Sequence, residues 1–128
     1  MIGLRVDQPS AGASSRIRRL ITPKGLEAWL IEEHAAPLVA VEFSFDGGAA
    51  QDPDGLAGAA NLMARLLDEG AGPYDSTAFQ EQLDEFAVEM SFGAGRDRIE
   101  GSLKTLVRHQ DEAFRLLKLA LTEPRFDA

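Results

Sequence analysis

The segment FDGGAAQDPDGLAGAANLMARLLDEGAG, running from Phe45 to Gly72, decides the reading of this fold. It reads as the end of a strand, a Gly/Ala turn and one helix with marked ends. Asp52 can cap the helix N-terminus by accepting from a free N–H, and Pro53 suits the first helical position, where a missing N–H costs nothing. Leu56, Ala60, Met63 and Leu67 recur at helical spacing, and Gly70 stands where a left-handed C-terminal cap belongs. The pattern predicts an amphipathic helix over about residues 53–69, packed on a sheet through its apolar stripe.

The chain before this helix reads as strands. Pro23-Lys24-Gly25 is a turn, Leu26 to Glu33 is a strand, and His34-Ala35-Ala36-Pro37 breaks it. From Leu38 to Asp46, Val39, Val41, Phe43 and Phe45 alternate with Ala40, Glu42 and Ser44, the period of a half-buried antiparallel strand, with 26–33 as its expected neighbour. Residues 1–16 carry Ser, Ala and Gly without a sustained period and read as a flexible lead-in or edge segment.

After the helix, a second one is expected to begin near Ser76 or Thr77, with Thr77 and Gln80 as a capping box and Phe79, Leu83 and Phe86 as its buried stripe. Val88, Met90 and Phe92, then Ile99, Leu103 and Thr105, alternate like the two arms of a hairpin turning at Arg96-Asp97. A third helix over about 110–122 points Phe114, Leu117 and Leu121 inward and stops before Pro124. Strands, two helices, strands and a helix in that order give an α+β class, an antiparallel sheet with helices packed on one face.

Composition limits the function. The 128 residues are 45% hydrophobic and 27% charged, with a net charge of -8, so a nucleic-acid partner, which needs clustered Lys and Arg, is not expected. Without cysteine there is neither a disulfide framework nor a thiolate metal site. No apolar run approaches the roughly 20 residues of a membrane span, and Met1 to Ser15 lacks the basic-then-apolar layout of a signal peptide.

The segment from Gly55 to Met63 resembles the zinc-site helix of the pitrilysin/insulinase (M16) metallopeptidases, which typically reads Gly-Leu-Ala-His-Phe-Leu-Glu-His-Met. Gly55, Leu56, Ala57 and Met63 match that frame, while the two ligand positions fall on Gly58 and Leu62 and the catalytic glutamate position on Asn61. Lys24-Gly25-Leu26, Val39 to Gly48, Glu69-Gly70, Met90-Ser91-Phe92 with Asp97, and Pro124-Arg125-Phe126 resemble further landmarks of the family in its order. A zinc site on a helix needs two imidazoles four residues apart and a carboxylate to activate water. Glycine and leucine cannot ligate, and asparagine is a poor base.

The resemblance therefore implies a non-catalytic chain: no catalytic residue, no metal ligand, and degenerate motif positions at Gly58, Asn61 and Leu62. Zinc is expected only in an active peptidase-like partner subunit, in a hetero-oligomer that encloses peptide substrate. The family's third ligand, a glutamate, would fall beyond Ala128, which implies that 17–128 are the first part of a longer domain. Two alternatives stay open, an active zinc metallopeptidase with ligands outside this stretch and an unrelated α+β binding domain. The periplasm is the expected compartment, the cytoplasm its alternative.

The remaining residues with chemical potential read as structural. Glu32-Glu33, Asp68-Glu69 and Asp84-Glu85 are adjacent in sequence, so their side chains diverge instead of converging on a substrate. His34 and His109 sit in separate elements, without a ligand partner at helical spacing. The basic run Arg16, Arg18, Arg19 reads as a solvated strand end, and Trp29 as core or sheet-face packing.

Overall fold

The computed structural model describes residues 16–127 and, for Arg5–Asp7, the backbone alone. The chain divides into two compact units, Met1–Ala36 and Pro37–Ala128.

In the first unit, β1 (Arg5–Asp7), β2 (Ile17–Ile21) and β3 (Glu27–Ile31) form an antiparallel sheet in the order β1-β2-β3. The edge position of β1 accounts for part of the expected lead-in, whose other residues up to Ser15 lie outside the described residues. The β2–β3 turn is closed by Gly25 N–H on the Thr22 carbonyl (2.9 Å) and by Leu26 N–H on Thr22 Oγ1 (3.0 Å). The basic run is ion-paired instead of merely solvated: Arg19 forks onto Glu27 at 2.9 and 2.8 Å, Arg18 meets Glu32, and Arg16 meets Glu33. Trp29 corrects the packing expectation, for it is 69% exposed. It lies opposite Arg19 and two residues from Glu27, on the charged face of β3, and its indole N–H donates to Glu27 Oε1 at 2.7 Å.

The second unit holds the core. Its sheet has the order β4-β6-β5, all antiparallel, from β4 (Leu38–Asp46), β5 (Glu89–Ala94) and β6 (Arg98–Leu106). The hairpin read at 88–105 is β5–β6. The pairing expected between 26–33 and 38–46 gives way to two others, β3 with β2 and β4 with β6. Length and side-chain rows explain the second. β4 and β6 are each nine residues long, and Val41–Leu103–Met90 and Phe43–Gly101–Phe92 line up across three strands on one face. Gly101 makes room for this: a Cβ there would stand 2.3 Å from Phe43 Cζ, so the Phe43 ring lies over bare backbone.

Three helices complete the unit: α2 (Ser76–Glu85) and α3 (Gln110–Thr122) pack on that apolar face, and α1 (Ala59–Leu66) runs alongside β5. α2 is capped by Asp75, whose carboxylate accepts from Ala78 N–H (2.9 Å), and not by a Thr77–Gln80 box; the Gln80 amide instead donates to the Asp68 carbonyl. α3 has the expected bounds with a rotated face. Ala113, Leu116, Leu117 and Ala120 are buried, while Phe114 and Leu121 stay exposed. The two alanines, seven residues apart, let the helix approach β6 closely, which turns the larger Phe114 outward. At the far end of α2, the Phe86 carbonyl accepts from His109 Nδ1 (2.7 Å) and from Thr105 Oγ1 (3.4 Å). A carbonyl only accepts, so His109 carries its hydrogen on Nδ1.

Two predictions follow from this packing. Phe79→Ala, at a fully buried ring, should cost about 3–5 kcal/mol, and Gly101→Ala about 1–3 kcal/mol through the displaced Phe43 ring; urea unfolding measures both. In the first unit, the bonds from Arg19 and then Trp29 hold Glu27 down at about 2 from its ordinary 4.5. A depressed carboxylate stabilises the fold above its unfolded pKa and loses that contribution as pH falls through the folded one. The Trp29 indole N–H resonance should therefore titrate near pH 2, and Arg19→Ala should move its midpoint towards 4.5; a midpoint unaffected by Arg19→Ala would contradict the pairing.

Candidate functional site

The zinc-site-like segment follows β4 through a short 3-10 turn, Ala49–Gln51. The helix is shorter than its sequence suggests. Residues 53–58 form turns, Leu56 is 60% exposed, and α1 begins at Ala59, so Pro53 is not a helical residue. Asp52 does cap α1, from a distance: Oδ2 accepts from Gly58 N–H (2.7 Å) and Oδ1 from Ala60 N–H (2.8 Å), with the loop closed between them. Both oxygens of one carboxylate thereby satisfy donors at a helix start that has no N-terminal partners of its own.

Gly58 is the N-cap, not a mid-helix residue, with φ 97 and ψ 0. A Cβ at Gly58 would find nothing within 4 Å. Its glycine therefore answers a left-handed backbone rather than a close neighbour. Asn61 and Leu62 follow inside the helix, both exposed, Leu62 at 61%. Ala64 and Leu67 are buried, and α1 runs alongside β5.

At its other end α1 stops at Leu66 with Leu67 as C-cap, short of Gly70. Gly70 serves the loop instead, its carbonyl accepting from Arg125 N–H (3.0 Å). Ser76 Oγ donates to Glu69 (2.7 Å), which fastens the end of this segment to the start of α2. Burial raises the Asp68 carboxyl above its ordinary value. His34 lies near Glu32 (4.0 Å) on the exposed rim of the first unit, and His109 is committed to the Phe86 carbonyl. Among the described residues no three His, Cys, Asp or Glu side chains are grouped to hold a metal ion. Gly58, Asn61 and Leu62 offer neither imidazole nor carboxylate, so the residues present do not fit zinc, and no reaction step runs through it.

A second feature lies next to α1. Gly95 N–H donates to the Arg98 carbonyl at 2.8 Å, which fixes the phase of the β5–β6 ladder. Residues 89, 91 and 93 then bond to β6, while Met90, Phe92 and Ala94 turn their N–H and C=O groups to the other edge. No strand occupies that edge among the described residues. The sequence alone gave no phase for the ladder, and it gave Asp52 its role without its reach; the run Asp-Pro-Asp-Gly carried the turn signal that separates the cap from the helix.

No family model matches the chain. A non-peptidase homologue from Helicobacter pylori, YmxG, is 27% identical over 95 residues, spanning 74% of this chain and 22% of that protein. The peptidase M16 inactive domain from Pseudomonas fluorescens superposes with a TM-score of 0.78 at 25% identity, over 88% of this chain and 27% of that one. In fold and in sequence this chain is similar to M16 domains described as inactive or non-peptidase. Its fold also matches the periplasmic protease PqqL from Escherichia coli, with a TM-score of 0.77 at 14% identity, over 94% of this chain and 14% of that one. The M16-like chain thus spans about a quarter or less of the length of these relatives.

The clasp is directly testable. Asp52→Ala should cost about 1–2 kcal/mol, since it orphans two helix-start donors, and Gly58→Ala about 1 kcal/mol for the left-handed backbone. Thermal unfolding of both variants checks this; an unchanged midpoint for Asp52→Ala would mean that water replaces the carboxylate.

Proposed function

We propose that this chain is a non-catalytic part of an M16-type peptidase assembly, holding extended peptide and pairing with a subunit that carries the metal. The observation behind the reading is the combination on α1 and β5: a scaffold of peptidase type without ligands on its helix, beside a strand edge with unused backbone groups. Strand addition on such an edge uses main-chain bonds for affinity and alternate side chains for selectivity. The inactive and non-peptidase character of two relatives supports it. The reading as an active peptidase with remote ligands is weaker, because the helix that would carry two of them is present and lacks both.

Zinc belongs to the partner in this proposal, and the periplasm is the proposed compartment, supported by the fold shared with a periplasmic protease. No described helix is long and apolar enough to cross a membrane.

Fluorescence anisotropy with labelled extended peptides tests peptide holding. Binding should weaken when alternate peptide amides are N-methylated, with no cleavage products in mass spectrometry. Binding indifferent to N-methylation, or chelator-sensitive cleavage by this chain alone, would contradict the proposal. Light scattering on mixtures with an M16 chain carrying the complete motif tests pairing, for which a hetero-oligomer is expected and two unassociated species would speak against it.

A further inference from the structure

An aspartate followed by glycine can react with its own backbone. The glycine nitrogen attacks the carbon of the side-chain carboxylic acid, and a C–N bond forms there. The nitrogen's proton and the carboxyl hydroxyl leave as water, which leaves a cyclic imide. Water then opens the ring at either carbonyl. One opening restores aspartate, and the other gives isoaspartate, in which the backbone runs through the side chain. Glycine favours the closure because it has no Cβ beside the attacking nitrogen. The sequence holds this dipeptide twice, at Asp46-Gly47 and at Asp54-Gly55, and does not rank the two. Asp52 is blocked, because Pro53 after it has no N–H.

The fold separates the two sites. Gly47 is buried, and its N–H donates to the Asp97 carbonyl at 3.1 Å, at the strand end where Asp46 lies opposite Arg98. Reaction there requires that end of the sheet to open and surrender the bond. Asp54 and Gly55 are both exposed, at the centre of a turn that Leu56 N–H closes on the Pro53 carbonyl at 2.9 Å. Among the described residues the Gly55 N–H has no acceptor, and the Asp54 carboxylate accepts no hydrogen bond. Gly55 holds φ +80, the left-handed position of such a turn, and a Cβ there would meet nothing within 4 Å. We infer that Asp54 is a self-modification site, converted to isoaspartate through an imide with the Gly55 nitrogen, while the fold protects Asp46. The site also bears on the helix start. Isoaspartate lengthens the backbone inside the loop that Asp52 closes on Gly58 N–H and Ala60 N–H, so the product loosens that clasp.

This inference is independent of the M16-like reading. The full chain is incubated for weeks at neutral pH and digested, and its peptides are fragmented by electron transfer, which distinguishes isoaspartate from aspartate. Isoaspartate should accumulate at position 54 about tenfold or more faster than at 46, the slowing expected when a reacting N–H must first give up a hydrogen bond. In urea the two sites should react at similar rates. Asp54→Glu, whose longer side chain closes a ring far more slowly, should remove the product at 54 in a chain that circular dichroism shows folded. Isoaspartate forming as fast at 46 as at 54, a preference for 54 that survives in urea, or product at 54 in urea alone overturns the inference. The isomerised fraction, isolated by chromatography, should melt below the fresh chain, in the same direction as Asp52→Ala; an unchanged midpoint overturns the link to the clasp.

Discussion

Everything in the larger unit depends on one face of the β4-β6-β5 sheet being apolar across three strands. Val41, Leu103 and Met90 form one row of that face, and Phe43, Gly101 and Phe92 the next. These rows receive Phe79 and Leu83 from α2 and Leu116 from α3. A one-residue slip of β6 would send Leu103 to the polar side and bring Ser102 and Lys104 to the core, so register is specified by burial. Because α1 lies along β5, its position is set by the same sheet.

That dependence separates the scaffold from its chemistry. Of the three degenerate motif positions only Gly58 takes part in holding α1, through its backbone N–H on Asp52. The helix is held by Ala64 and Leu67 on its buried side, by Asp52 at its start, and by the Glu69–Ser76 and Gln80–Asp68 bonds beyond its end. Exposed positions such as Asn61, Leu62 and Arg65 are free to vary without cost to the core. The packing that holds an M16-like fold together thus does not require metal ligands on α1, and two of the similar proteins are themselves described as inactive or non-peptidase.

The sequence showed the class of this fold because its signals were periodic. The alternation in 38–46 and in the β5–β6 hairpin, and the bounds of α3, were legible from residue spacing alone. Errors arose where a local signal allowed two geometries. Asp52 followed by Pro53 reads as a cap and first turn, yet the same residues open a loop that Asp52 then bridges to Ala60. The apolar residues of 110–122 suggest a stripe of Phe114, Leu117 and Leu121, whereas the alanines at 113 and 120 set the contact face and only Leu117 of the three is buried. Trp29 reads as core or sheet-face packing, yet its neighbours Arg19 and Glu27 make that face charged. Strand partners are non-local, so the pairing of β4 with β6 was beyond local reading. At the candidate site the absence of imidazoles was plain in the sequence, but the left-handed Gly58 needed coordinates.

The central claim is that a peptidase-type scaffold is present without the means to hold its metal. Elemental analysis of the purified chain, after exposure to zinc and exhaustive dialysis, tests this most directly. The account predicts no stoichiometric zinc. One retained ion per chain, lost on changing His34 or His109, would contradict it.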